Sequence, residues 1–235
     1  MARSDQSSVP APEELHPSLW LASQLAQAAT RCVDTGYAAL SAQLPGGGWP
    51  TGQLIELLLQ QTGMGEIRLL HPALASLQRP VVFLQPPQVP QTLGLSELGL
   101  PPSQLIWIRS KGADSLWAAE QILRSGCCGA LLLWQAQIRG ENLRRLHLAA
   151  QSGDTLFCLM RPLAAEREAS PAPLRLSLRT AAGGIDIGFV KRRGPRRDAP
   201  LFLPLLPSLL QRHAPLDRPA STPAPARSIQ PALVG

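Results

Sequence analysis

The stretch LLLQQTGMGEIRLL, residues 57–70, holds the residues best spaced to do chemistry. An apolar run feeds the turn Gly63-Met64-Gly65, and a helical pattern follows. That is the layout of a loop that cradles phosphate on backbone N–H groups at a helix N-terminus. Hydrolysis there also needs a lysine to reach the phosphates and a Ser or Thr to hold Mg²⁺. With one extra residue in the loop, Gly65, Glu66 and Ile67 fill the decisive positions; without it, Met64, Gly65 and Glu66 do. Both registers lack the cation and the hydroxyl. A carboxylate ~4 Å from a phosphate oxygen, at an effective dielectric of about 20, costs about 4 kcal/mol per charge pair. Gly63, Gly65, Glu66 and Ile67 therefore read as the outline of a phosphate site without its chemistry, against the plainer reading of an ordinary strand-to-helix turn.

Other reactive constellations are poor. Ser125-Gly126 lacks the preceding glycine of a nucleophile elbow. Cys127 has no evident His partner, and Glu56 with Glu120 is a carboxylate pair of a kind that strand and helix ends carry routinely. His16, His71, His147 and His213 are scattered, and Cys32, Cys127, Cys128 and Cys158 contain no C-x-x-C pair. No metal, cofactor or catalytic residue is expected, and the thiols read as buried and reduced. Two binding candidates remain. Lys191, Arg192, Arg193, Arg196 and Arg197 form a basic cluster suited to DNA phosphates or an acidic partner, or else a solvated edge that protects a sheet. Leu201, Phe202, Leu203, Leu205, Leu206, Leu209 and Leu210 are too apolar to float free and are broken by Pro204 and Pro207. They read as a segment that packs on the chain's own core or docks on a partner.

The elements that would position these residues alternate. QLIELLL, RPVVFLQPP, QLIWIRS, GALLLWQ and TLFCLMRP are strand-like, and the fourth is apolar throughout, as strands covered on both faces are. Between them, residues 67–77 predict a helix that Pro72 must start or kink, and DSLWAAEQILRSG predicts one with Asp114 or Ser115 as cap and Trp117, Ile122 and Leu123 inward. In NLRRLHLAAQSG, Leu143, Leu146 and Ala150 make one stripe and His147 points elsewhere. The alternation predicts an α/β fold with a largely parallel sheet flanked by helices. LRLSLRTAAGGIDIGFVKRR alternates at period two about AAGG and predicts a β-hairpin, Leu174, Leu176 and Leu178 facing Ile185, Ile187 and Phe189. A helix is expected near Glu13–Arg31, a short one over Ala38–Leu40, and a tight turn at PGGGWPTG. The organisation expected is an N-terminal tail and helix (1–29), a core (30–193) and a Pro/Arg-rich tail (194–235) that is mostly flexible and carries the docking segment.

With 235 residues and 45% apolar content, the chain is large enough for one α/β domain plus tails. A net charge of +6 favours a polyanionic or acidic partner, and equally fits surplus surface arginine. The N-terminus lacks the basic-then-apolar order of a signal peptide, and the longest apolar run, Ala130 to Trp134, is too short to span a bilayer. A cytoplasmic protein without membrane contact is expected.

The segment DTGYAALSAQLPGGGWPTGQLIEL, Asp34 to Leu57, resembles the opening of the RecA-type ATPase core: Thr35, Gly36, Leu40, Gly47, Gly48, Pro50, Gly52 and Glu56 stand at corresponding places. LRSGCCGALLLW, Leu123 to Trp134, looks like the stretch that ends in that family's second nucleotide motif. The resemblance implies a RecA-like core. It also puts Trp134 where an Mg²⁺-anchoring Asp would stand, and Gln85 where the water-activating acid would be. Three requirements are then missing, which argues against hydrolysis. More narrowly, LPGGGWPTGQLIELL, GEIRLLHPAL, SLWAAEQILRSGCCGALLLW, LRRLHLAAQSG and FVKRRGP together resemble the ImuA family, RecA-related and SulA-like accessory proteins of damage-induced translesion DNA synthesis. That family implies an adaptor acting in the SOS response and induced mutagenesis. Its partners would be an ImuB-like Y-family polymerase homologue, a C-family DNA polymerase and RecA, with DNA met directly or through them. The alternatives are a SulA-like division inhibitor that binds FtsZ, and an ATPase with unusual ligands.

Overall fold

The computed structural model describes residues 31–88, 99–110, 114–194 and 199–205. The chain divides into a unit of residues Met1–Leu205 and a second, Leu206–Gly235, that lies outside the described residues. So do residues 13–30 of the helix expected near Glu13–Arg31 and the candidate residues Arg196, Arg197, Leu206, Leu209 and Leu210; Arg31 is described and stands outside any helix.

Six strands run parallel: β3 (Gln53–Leu59), β4 (Val81–Leu84), β5 (Leu105–Ile108), β6 (Ala130–Trp134), β7 (Leu156–Pro162) and β8 (Leu174–Ala181). The expected hairpin turns from β8 into β9 (Gly184–Lys191), with Leu176 opposite Phe189 and Leu178 opposite Ile187. A further strand, β10 (Leu201–Pro204), pairs antiparallel with β9. Among the described residues the sheet has eight strands in the order β10-β9-β8-β3-β7-β6-β4-β5. A separate pair, β1 (Cys32–Val33) with β2 (Trp49–Pro50), brackets the helix α1 (Ala38–Ser41) and the single turn Pro45–Gly47. The sequence reading took PGGGWPTG as turn alone; two of its residues are ladder.

Both faces of the sheet are covered. Ile55, Leu57 and Leu59 of β3 point to the side of α2 (Glu66–Ser76), and Leu54 points to the side of α3 (Asp114–Ser125) and α4 (Gly140–Ala150). The strands are apolar on both sides for that reason, as the run ALLLW anticipated. Trp117, expected inward on α3, is 64% exposed; the inward stripe of that helix is Ala119 and Leu123. Asp114 lies within the first turn of α3, where a carboxylate complements the helix dipole, not before it.

An ionic network lies in the interior. Glu56, fully buried in β3, lies opposite Arg175 of β8 and is held by Arg175 Nε at 2.5 Å and Arg161 Nη1 at 3.5 Å. Arg161 also binds Glu168 at 2.6 Å, and Arg175 donates to the carbonyls of Ala165 and Glu166. Ala165 and Glu166 belong to the short 3-10 segment Leu163–Arg167 that follows β7. The network thus pins a segment too short to cover the sheet by apolar area alone.

Pro72 sits inside α2. Its ring supplies no N–H, so the helix leaves the Arg68 carbonyl without its regular donor. The Tyr37 hydroxyl donates to that oxygen at 3.0 Å. Next to it, Gly36 (φ 78°) passes so close that an added Cβ would lie 2.2 Å from the Pro72 Cβ. The Thr-Gly-Tyr turn and the proline are therefore parts of one joint.

The expectation that Leu201, Leu203 and Leu205 form a docking segment is corrected by β10. Leu203 and Leu205 are 3% and 8% exposed and belong to the chain's own core, while Phe202, on the other face of the strand, is 48% exposed. Alternation on a half-covered edge strand explains the apolar run, and Pro204 closes it where the ladder ends. The core therefore extends past Arg193.

Candidate functional site

Two places bring the candidate residues together, one at each end of β3. At the C-terminal end, Gly63 (φ 82°) and Gly65 (φ 126°) turn the chain into α2. The Glu66 side chain folds back into this turn. Its Oε1 accepts from the Gly63 N–H at 2.8 Å, and its Oε2 from the Gly65 N–H at 3.2 Å. Glu66 is 2% exposed. The carboxylate lies on the loop amides at the positive end of the helix, where a loop of this shape would hold phosphate oxygens. The sequence reading treated Glu66 as repelling a phosphate; the geometry makes it the anion itself. The loop is also roofed: a Cβ on Gly65 would come within 3.1 Å of Leu205 Cδ1 and 3.8 Å of Ile185 Cγ2. Ile67, at the hydroxyl position, packs half-buried against the core below.

Trp134 ends β6, 7% exposed, and stacks on Phe83 at 6.0 Å between ring centres; Phe83 in turn stacks on Trp107 at 5.5 Å. An aromatic column thus stands at the position the resemblance gave to a metal ligand. Gln85, after β4, has φ 58° and donates from its amide to the Ser110 carbonyl. A left-handed glutamine is a strained conformation, held here by the tie to the end of β5. Beside Trp134 a crevice of about 270 Å³ opens among Gln60, Thr62, Gln135 and Arg161.

At the N-terminal end of β3 is a cleft of about 540 Å³ lined by Arg31, Thr51, Gln53, His147, Lys191 and Arg193 among others. Lys191 Nζ donates to Ser170 O at 3.0 Å. Arg192 also borders it, with its guanidinium over the Phe189 ring at 5.1 Å and a donor on the Gln43 carbonyl. The His147 Nδ1 accepts from the Leu54 N–H at 3.4 Å, which fixes the unprotonated face of the ring toward β3. Burial, and then Lys191, hold the His147 pKa below its usual value. Sequence reasoning found Lys191, Arg192 and Arg193 but not Arg31, Thr51 or His147. The antiparallel β1–β2 pair joins Arg31 to Thr51 and the packing of α4 on β3 adds His147, and no spacing signals that meeting.

The remaining candidates separate. Glu120 is bound by Arg124 at 2.8 Å and Arg145 at 2.5 Å, in a network apart from that of Glu56, so the two do not pair as an acid and a base. Cys127 is exposed and Cys32 half-buried, against the expectation of four buried thiols. Burial pushes the Cys128 thiol up to about 11 and raises Cys158. Among the described residues, no three His, Cys, Asp or Glu side chains gather as a metal site, and no helix is long and apolar enough to cross a membrane.

No family model matches the chain. It is similar to the cell division inhibitor SulA of Edwardsiella piscicida, with 31% identity over 85 residues, 36% of this chain and 51% of that protein. The chain thus spans about half the length of the curated relative it matches.

Proposed function

We propose that this chain is a non-catalytic adaptor of the DNA-damage response, built on a degenerate RecA-type core. Its partners are an ImuB-like Y-family polymerase homologue, a C-family DNA polymerase and RecA, and it acts in the cytoplasm at damaged DNA. The observation that carries the non-catalytic part is the Glu66 carboxylate on the Gly63 and Gly65 amides. A nucleotide would have to displace a buried anion that is covalently part of the loop. The adaptor part draws on the five sequence blocks that resemble, in order, those of the ImuA family and on the similarity to a division inhibitor of SulA type. Affinity recovery from cells exposed to a DNA-damaging agent tests it. Polymerase subunits or RecA in the eluate, with no Mg-ATP binding by titration calorimetry on the purified protein, is the expected result. Micromolar Mg-ATP binding sinks the non-catalytic reading and returns the ATPase with unusual ligands.

The similarity to SulA favours a second reading, a division inhibitor that binds FtsZ. Overexpression separates the two. Filamentous cells with unchanged induced mutagenesis, and FtsZ in the eluate, select the inhibitor; lost or altered mutagenesis without filaments selects the adaptor.

A further inference from the structure

The basic cleft lies at the opposite end of β3 from the glycine loop. Seven residues of strand at about 3.3 Å each set the two roughly 20 Å apart. It is therefore a different site. Among the described residues its titratable lining consists of Arg31, His147, Lys191, Arg192 and Arg193, with no carboxylate. The carboxylate that feels Arg31, Asp154, is itself taken by Arg79 at 2.6 Å.

The cations are placed by the fold. The Arg31 carbonyl accepts from Thr51 N at 2.9 Å and Thr51 Oγ1 at 3.2 Å, which sets the arginine at the rim of the cleft. On the far side, Arg192 is anchored by Phe189 and Gln43, so the flanking Lys191 and Arg193 stand exposed on either side of a fixed point. Pro171 and Pro173 also line the cleft.

We infer that this cleft binds the phosphodiester backbone of a single-stranded nucleic acid. The charged lining is made of phosphate-binding groups: guanidinium forks and an ammonium. Among the described residues its lining has no Phe, Tyr, Trp or Met, the residues that anchor protein interfaces and stack bases, so these offer neither a protein anchor nor a stacking platform. Recognition through phosphate alone is indifferent to sequence and steep in salt. A flexible single strand can turn its phosphates toward cations gathered in a cleft, whereas a stiff duplex holds them at fixed spacings along its grooves.

The inference does not depend on which proteins the chain meets, and it is tested on the purified full chain. Fluorescence anisotropy with a labelled oligothymidylate is measured over a salt series, for the wild type and for Arg31→Ala/Lys191→Ala/Arg193→Ala. The expected result is binding that weakens about tenfold or more in the variant, with a log–log salt slope shallower by about 0.7 for each phosphate no longer neutralised. The charge-retaining change Lys191→Arg/Arg193→Lys should bind as the wild type does. Should the triple variant fail to unfold cooperatively, Arg31→Ala and Arg193→Ala, each on an exposed side chain, make the same comparison singly. An unchanged slope overturns the inference. Equal affinity for a duplex overturns it too, and so does equal competition by polyglutamate, which would reassign the cleft to an acidic protein.

Discussion

Removing the Glu66 carboxylate would leave the Gly63 and Gly65 N–H groups facing a buried turn without an acceptor. Each stranded donor costs about 1–3 kcal/mol. Glu66→Ala is therefore expected to lower unfolding stability by roughly 2–4 kcal/mol in urea titration, with Glu66→Gln losing less because one amide oxygen remains. Glu66→Lys should be worse than either, since a cation then meets the positive end of α2. A neutral result at Glu66→Ala would mean that the carboxylate is incidental to the loop. His147 gives the pH prediction. Its folded pKa lies below the ordinary value, so between the two values the unfolded chain binds more protons and stability rises with pH. Stability should be full above about pH 6.5 and fall as pH drops below it. His147→Gln should flatten that limb of the curve of melting temperature against pH. Lys191→Ala should move the His147 titration upward when followed by NMR, because one of its two causes is gone.

At the scale of elements, the ionic network and the edge strand carry different loads. Glu56→Leu removes the carboxylate that Arg175 and Arg161 share in a buried site, leaving Arg175 only backbone carbonyls and Arg161 only Glu168. Breaking a buried pair from one side costs about 3–5 kcal/mol, so a fall in Tm of roughly 6–20 °C is expected by calorimetry. On β10 the two faces should part cleanly. Leu203→Asp buries a charge and should unfold much of the population, whereas Phe202→Asp sits on the exposed face and should change stability by about 0.5 kcal/mol or less. The contrast between these elements also shows what sequence alone could tell. ALLLW announced two-sided burial directly, and the hairpin announced its own pairing through period two. β10 did not, because four residues cut by prolines carry too few repeats to distinguish an edge strand from a docking peptide. Trp117 was misread for a related reason: on α3 the inward stripe passes through small Ala119, and size is a poor guide to which face is in. At the glycine loop the missing lysine and hydroxyl were legible. That Glu66 would turn back onto its own loop was not, since the hydrogen bonds depend on the left-handed glycines.

For the whole molecule, β10 ties the far edge of the sheet to the glycine loop. Leu205 follows β10 and sits over Gly65, so the last described residue of the chain closes the turn that follows β3. A chain ended at Arg193 would lose β10 and uncover Ile185, Ile187 and Gly65 together. It should be less stable by several kcal/mol, at about 1.5–3 kcal/mol for each large side chain returned to water, and hydrogen exchange should quicken both in β9 and in the amides of residues 63–66. Quickening in β9 alone would show that the roof and the loop are independent.

The return of Glu66 onto its own loop has a consequence for the cell's energy balance. Ordinary ATPase folds have at least two shapes, charged and discharged, and their proportions follow the ratio of ATP to ADP. A loop whose anion is encoded in the polypeptide has one occupancy, set at translation and never exchanged. On the proposed reading, starvation or respiratory poisoning that drains ATP would leave this protein in its single working form. Control over it would then rest with how much is made and how soon it is degraded.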